Sequence, residues 1–420
     1  MNMVINIFNP YTLLVIGVFV EYFPSFYGKE RPSIELGSIS LYIADISFIF
    51  LCVYVAIHFL TKQPDTHVAN RSSGKNIQKI LGLFFVISCF KWLLQSEHDV
   101  SSIRMMASFS SAYLFLYFLP LYISSRKALN NFIFLIILFQ VYIFVLHIYA
   151  FSTEGFKMHI LSGGFLTMLG LLYFLNIGES NFLKAKPLAS LFIKTLVIAT
   201  YFMVGHRSGL IALLLGILML SFFYKKTAIR EASLLMALIV VGAGASMIIS
   251  PDILSKIAER AATTFDTKQA TYQGRYNNLF RVIEVSAEHP IIGKPLVTNE
   301  SREAKLIQES QGGITASKIR VVVTPHNLFF EWLYYYGAIG VLLGLAMIFL
   351  TIRFIKGFLR KHREDSQSRR IGISLICCMI HNLFFALTNV TSMSVFATFF
   401  LYLPLVMLVV ISRKEESYYE

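Results

Sequence analysis

Apolar runs of about twenty residues recur along this chain from one end to the other, and that recurrence leaves it little choice of fold. About 20 residues of helix cross the hydrocarbon core of a bilayer. Strands of this hydrophobicity would leave backbone N–H and C=O groups unpaired in lipid, so the expected class is all-α, a polytopic membrane protein. Twelve spans are predicted, at 3–23, 39–60, 77–95, 104–124, 131–150, 158–177, 187–205, 208–224, 232–250, 327–350, 372–390 and 395–411. Composition agrees: 56% of the 420 residues are hydrophobic and only 15% charged, with 38 Phe and a mean hydropathy of +0.64. No soluble globular domain has that balance.

The net charge of +13 does not point to nucleic acid, because no soluble basic domain is visible and basic cytoplasmic loops produce the same surplus. Those loops can be found. Lys62, Arg71, Lys75 and Lys79 follow span two; Arg126 and Lys127 span four; Lys184 and Lys186 span six; Lys225, Lys226 and Arg230 span eight. A block of seven from Arg353 to Arg370 follows span ten, and Arg413 and Lys414 lie on the tail. The alternate short loops hold only Lys29, Arg31, Arg104, Lys157 and Arg207. Twenty against five predicts that both termini are cytoplasmic. The Arg353–Arg370 block then reads as an anchor near anionic headgroups.

The chain divides into residues 1–186 with spans one to six, 187–250 with spans seven to nine, a long loop at 251–325, and 326–420 with spans ten to twelve and the tail. The same topology puts the long loop outside, in the periplasm of a Gram-negative cell. Within it, Gly274 to Ile292 sets Tyr276, Leu279, Phe280, Ile283 and Ala287 at helical spacing. This predicts an amphipathic helix on the membrane surface or against the bundle, ended by Pro290 and Gly293. The N-terminus lacks a basic segment and a small-residue cleavage site, so span one is expected to remain. Cys52, Cys89, Cys377 and Cys378 all fall in apolar runs and read as packing residues.

Few residues on the outer side can carry chemistry. Arg207 stands in a minimal turn, Val204-Gly-His-Arg-Ser-Gly209, where a guanidinium can reach a lipid-linked phosphate or simply snorkel to the interface. Arg275 and Arg281 open the amphipathic stretch of the loop. In Thr324 to Gly340, TPHNLFFEWLYYYGAIG, His326 and Asn327 sit where the loop enters span ten. An arginine cluster with one histidine suits transfer from a lipid diphosphate: the leaving diphosphate needs charge stabilisation and the incoming hydroxyl a base. The bland alternative for His326 is a cap or packing residue. Glu331, five residues on, lies about 140° around the helix and is not expected to pair with His326. The pentapeptide HNLFF recurs at 381–385, in mid-span and without the following glycines, and reads as a coincidence in a Phe-rich chain.

Three of these landmarks stand in a recognisable order. They are Arg207-Ser208-Gly209; Gly274-Arg275 followed by His289-Pro290-x-x-Gly293; and His326-Asn327 followed by Gly337 and Gly340. Over roughly residues 190–350 the chain resembles the O-antigen ligase and O-antigen polymerase superfamily of bacterial envelope proteins. The resemblance implies an inner-membrane glycosyltransferase that uses an undecaprenyl-diphosphate-linked oligosaccharide by inverting displacement, with no metal, nucleotide or other cofactor. Arg207 and Arg275 would hold the diphosphate and His326 would activate or orient the acceptor hydroxyl, with Arg281, Asn327 and His206 completing the substrate-binding set. The acceptor would be a lipid-linked repeat unit for a polymerase or lipid A-core for a ligase. The aromatic run after His326-Asn327 looks more like the polymerase branch. Lys294-Pro295 departs from the family pattern, which often carries a second glycine there.

A flippase or transporter is the alternative from another class. Glu21, Asp45, Lys91 and Lys194 would then line an intramembrane pathway. Related halves with matching interrupted helices, common in transporters, are not evident in the sequence.

Overall fold

In a computed structural model of the protein, the described residues are 33–36, 39–42, 74–95, 163–177, 187–204, 207–249, 279–280, 282–294, 327–363, 366–388 and 395–416, with single positions at 46, 49, 53, 106, 134, 138, 141, 142 and 145. Eight helices carry the described part of the bundle: α1 Lys75–Leu94, α2 Gly163–Ile177, α3 Pro187–Val204, α4 Arg207–Ser221, α5 Lys225–Ile249, α6 Leu328–Lys361, α7 Ser366–Thr388 and α8 Val395–Glu416. They correspond in order to predicted spans three and six to twelve. By length and composition α1, α6 and α7 can each cross a membrane, while α3, α4 and α8 contain shorter apolar stretches. Spans one, two, four and five lie almost wholly outside the described residues.

One element was not signalled by hydropathy. Ser33–Leu36 (β1) and Ile39–Tyr42 (β2) form an antiparallel two-stranded hairpin, so the expected start of span two at residue 39 is corrected. The alternation Ile39-Ser40-Leu41-Tyr42 satisfies a strand as well as the first turn of a helix, and short runs of this kind do not distinguish the two.

The helices pack by their small and aromatic residues. α7 is central and touches α2, α4, α6 and α8; α5 lies against α3 and α4; α1 contacts α6. Gly216 of α4 sits so close to Phe174 of α2 and the Cys377 carbonyl of α7 that an added Cβ would lie 2.2 Å from the Phe174 ring. Glycine at such points lets backbones approach, the usual device where lipid supplies no hydrophobic drive between helices. On α1 the buried residues are Ile77, Leu81, Phe84, Ser88 and Lys91, spaced alternately by four and three. That is a heptad seam turned toward α6. Leu83, Val86, Phe90, Leu93 and Leu94 stay exposed on the remaining faces, as suits lipid contact. Cys377 and Cys378 are buried and unpaired with each other, and Cys89 is half-buried, consistent with packing roles.

Two of the charges considered for a transport pathway are tied up in structure. Lys194 of α3 and Glu231 of α5 form a buried ion pair at 2.7 Å, to which Tyr173 of α2 donates from its hydroxyl at 3.3 Å. Lys91 is bonded to backbone carbonyls, as set out below. Glu21 and Asp45 lie outside the described residues.

Candidate functional site

The nine residues after Asn327 are apolar or aromatic except for Glu331, and they begin α6 with a well-made cap. Asn327 is extended at φ −158°, and its Oδ1 accepts from the Phe329 N–H at 2.9 Å, satisfying one of the orphan donors of the first turn. Its Nδ2 donates to the Leu387 carbonyl at 3.0 Å and fastens the start of α6 to the end of α7. Glu331 is fully buried in the first turn.

At Gly337 the helix breaks, with φ 61° and ψ −152°. In an unbroken helix the N–H groups of Ala338 and Ile339 would bond to the carbonyls of Tyr334 and Tyr335. All four groups are freed by the break, and buried backbone groups must find other partners. The turn at 289–294 supplies three of them. Ala338 N–H donates to the Pro290 carbonyl at 2.8 Å, Ile339 N–H to the Ile291 carbonyl at 3.2 Å, and the Tyr334 carbonyl accepts from the Lys294 N–H at 2.8 Å. The fourth, the Tyr335 carbonyl, accepts from Lys91 Nζ. A loop segment is thus spliced into a helix, hydrogen bond for hydrogen bond.

Both glycines of this joint are required. Gly293 has φ 77°, and a Cβ there would lie 2.4 Å from the Tyr336 nitrogen; at Gly337 it would lie 2.5 Å from the Ile291 carbonyl carbon. Neither neighbour is a side chain that can swing aside. At the departure from the family pattern, the Lys294 backbone N–H serves the Tyr334 carbonyl, as any residue but proline could, and Pro295 lies outside the described residues.

The helix before the turn is described at 279–280 and 282–288 and ends before Pro290, as expected. The predicted apolar face is the one turned outward from the bundle, as a helix on the membrane surface requires. Val282 and Ser286 are the buried positions, whereas Phe280 and Ile283 are 53% and 46% exposed and Ala287 is exposed. Ser286 is reconciled with burial by donating to the Val282 carbonyl at 2.6 Å. His289 is exposed and contributes backbone to the turn, its carbonyl accepting from the Gly293 N–H at 3.0 Å.

Arg207 opens α4 as its first residue, while positions 205 and 206 lie outside the described residues. Two residues on, Gly209 packs on Tyr201 of α3, where a Cβ would lie 2.3 Å from the ring. The Tyr201 hydroxyl shares a hydrogen bond at 2.8 Å with His381 Nε2, and His381 Nδ1 shares another at 2.8 Å with Asn382 Oδ1. Through the Gly209 contact on Tyr201, this buried network ties the start of α4 to α7. His381 and Asn382, which open the second His-Asn-Leu-Phe-Phe, thus have a packing role in the bundle. His206, Arg275, Arg281 and His326 lie outside the described residues.

Residues 192–345 match the family model described as O-Antigen ligase. Over that segment the chain is similar to the O-antigen ligase family. The match spans the landmarks expected of the polymerase and ligase superfamily, from α3 through the spliced joint to the middle of α6, and with the apolar helices it supports a membrane protein similar to the glycosyltransferase-like proteins of the bacterial envelope. A comparison with curated proteins finds no match. Within the family segment, His-Pro-x-x-Gly and the glycine that follows His-Asn are the two halves of one hydrogen-bonded joint.

Proposed function

We propose that the protein is an O-antigen polymerase that transfers an undecaprenyl-diphosphate-linked glycan to the acceptor sugar of another lipid-linked repeat unit at the periplasmic face of the inner membrane. The observation that carries this reading is the joint between the 289–294 turn and α6. It fixes residues 289–294 of the large loop, the loop that carries Arg275 and Arg281, against the helix that begins beside His326. In the reaction the acceptor hydroxyl attacks the anomeric carbon and the bond from that carbon to the diphosphate breaks, with inversion. The proton passes to His326. Arg207 and Arg275 take up the charge of the departing undecaprenyl diphosphate, since guanidinium forks match phosphate oxygens. His206, Arg281 and Asn327 complete the substrate-binding set, and no metal or cofactor is invoked.

A second reading, transfer to lipid A-core, is favoured by the description of the matching family. A deletion strain separates the two: loss of a polymerase leaves core plus one repeat on the lipopolysaccharide ladder, and loss of a ligase leaves bare core. An unchanged ladder defeats both.

The catalytic roles have their own test. His326→Gln, which keeps a hydrogen bond but no useful basicity, is expected to lose about 10²- to 10⁴-fold in turnover. Wild-type activity should fall as pH drops and the imidazole protonates, because the base must be neutral. Arg207→Lys keeps charge but loses the fork and should lose activity with normal insertion. Near-normal turnover in His326→Gln would demote the histidine to a positioning donor.

A further inference from the structure

Lys91 belongs to α1, outside the matched segment, yet its ammonium reaches into the joint. Nζ donates to the Ile292 carbonyl at 2.9 Å, to the Lys294 carbonyl at 2.7 Å and to the Tyr335 carbonyl. An ammonium has three N–H donors and no acceptor, so all three are in use. Two of the carbonyls lie on the turn and the third on the broken helix. Tyr336 adds its ring face 5.6 Å from Nζ, and its hydroxyl bonds to Ser88 Oγ at 2.5 Å, one turn earlier on α1. Since Ser88 already donates to the Phe84 carbonyl at 2.6 Å, Tyr336 is the donor in that pair. A lysine in a membrane helix is costly unless paired, and all three bonds from this ammonium go to the joint.

We propose that Lys91 is a positioning residue of the transfer reaction: it clamps the 289–294 turn to the break in α6 and so holds the arginine-bearing loop in register with the start of that helix. The proposal rests on the transferase reading for its functional half. The clamp itself does not depend on it. Removing the ammonium leaves the Tyr335 carbonyl and two turn carbonyls without their donor, so the turn loosens while the packed helices stay.

The test uses the full chain in detergent micelles. In Lys91→Met, amide hydrogen exchange in peptides covering 289–294 and 337–340 should quicken by about tenfold or more, while peptides from 345–360 keep their protection. Turnover on a lipid-diphosphate-linked glycan should fall by about 10²-fold, as expected for small misplacement of reacting groups, with the donor KM within about threefold of wild type. Lys91→Cys should behave alike, and alkylation with 2-bromoethylamine, which rebuilds an ammonium at nearly the same reach, should restore both; treated wild type is the control. Unchanged exchange at the joint, or exchange rising throughout α6, overturns the clamp. A loosened joint with full turnover overturns the positioning role. If the wild-type protein transfers no glycan, the transferase reading fails, and the exchange and alkylation arms still decide the clamp.

Discussion

Gly337, at φ 61° and ψ −152°, lies in a region that costs a residue with a Cβ about 1–3 kcal/mol, and the space a methyl group would need is filled by the backbone of Ile291. Gly337→Ala should therefore destabilise by about 3 kcal/mol, by strain or by expelling the turn. Thermal unfolding in detergent measures the cost, and glycan transfer should fail with it. Gly357→Ala is the matched control in the same helix: nothing lies within 4 Å of an added Cβ, so the change should be neutral or stabilising by up to about 1 kcal/mol. Equal effects at the two positions would remove the joint from the account. Lys194 and Glu231 make the complementary point about charge. Each looks functional when read alone as an intramembrane ion, and each is the other's partner at 2.7 Å.

Among the elements, α6 does the most to organise the site. It is 34 residues long, or about 51 Å at 1.5 Å per residue, so it extends beyond the bilayer into the basic stretch at Arg353–Lys361. Its first three turns are set by Asn327 and by the break at Gly337 rather than by lipid. Both heavy atoms of the Asn327 amide are engaged, one in the cap and one on α7, which supports a positioning contribution from this residue. Asn327→Ala should cost about 1–2 kcal/mol in thermal unfolding. Asn327→Asp keeps the cap, loses the Leu387 tie, and should recover only part of that loss. Full recovery by Asp would mean that the link to α7 contributes nothing. The short helix before the turn shows the opposite division: Val282 faces the bundle while Phe280, Ile283, Ile291 and Ile292 remain exposed.

For the whole molecule the first expectation to check is topology. Cysteine labelling should find Lys75, Lys226 and Arg363 cytoplasmic and Lys268 and Gln308 outside, as the Lys and Arg asymmetry requires; a cytoplasmic 251–325 loop would overturn every role assigned above. The helical class and the order of eight helices were legible in the residues alone, and so were the three landmarks inside the matched segment. Not all the helix ends were: α5 starts at Lys225 rather than 232, α6 runs on to Lys361 rather than 350, and α7 starts at Ser366 rather than 372. Partition into lipid and the retention of basic loops depend on local composition, so each stretch can be judged without its neighbours. The hairpin at 33–42 was not legible, because a four-residue alternation is too short to separate strand from helix. Tertiary structure decided the joint, the buried face of the loop helix, the Tyr201–His381–Asn382 network and the partners of Lys91, Lys194 and Glu231. These are hydrogen bonds and ion pairs between residues tens to hundreds of positions apart. No periodicity in the sequence records them, since only the packed fold brings a freed carbonyl at Tyr335 within reach of an ammonium at Lys91.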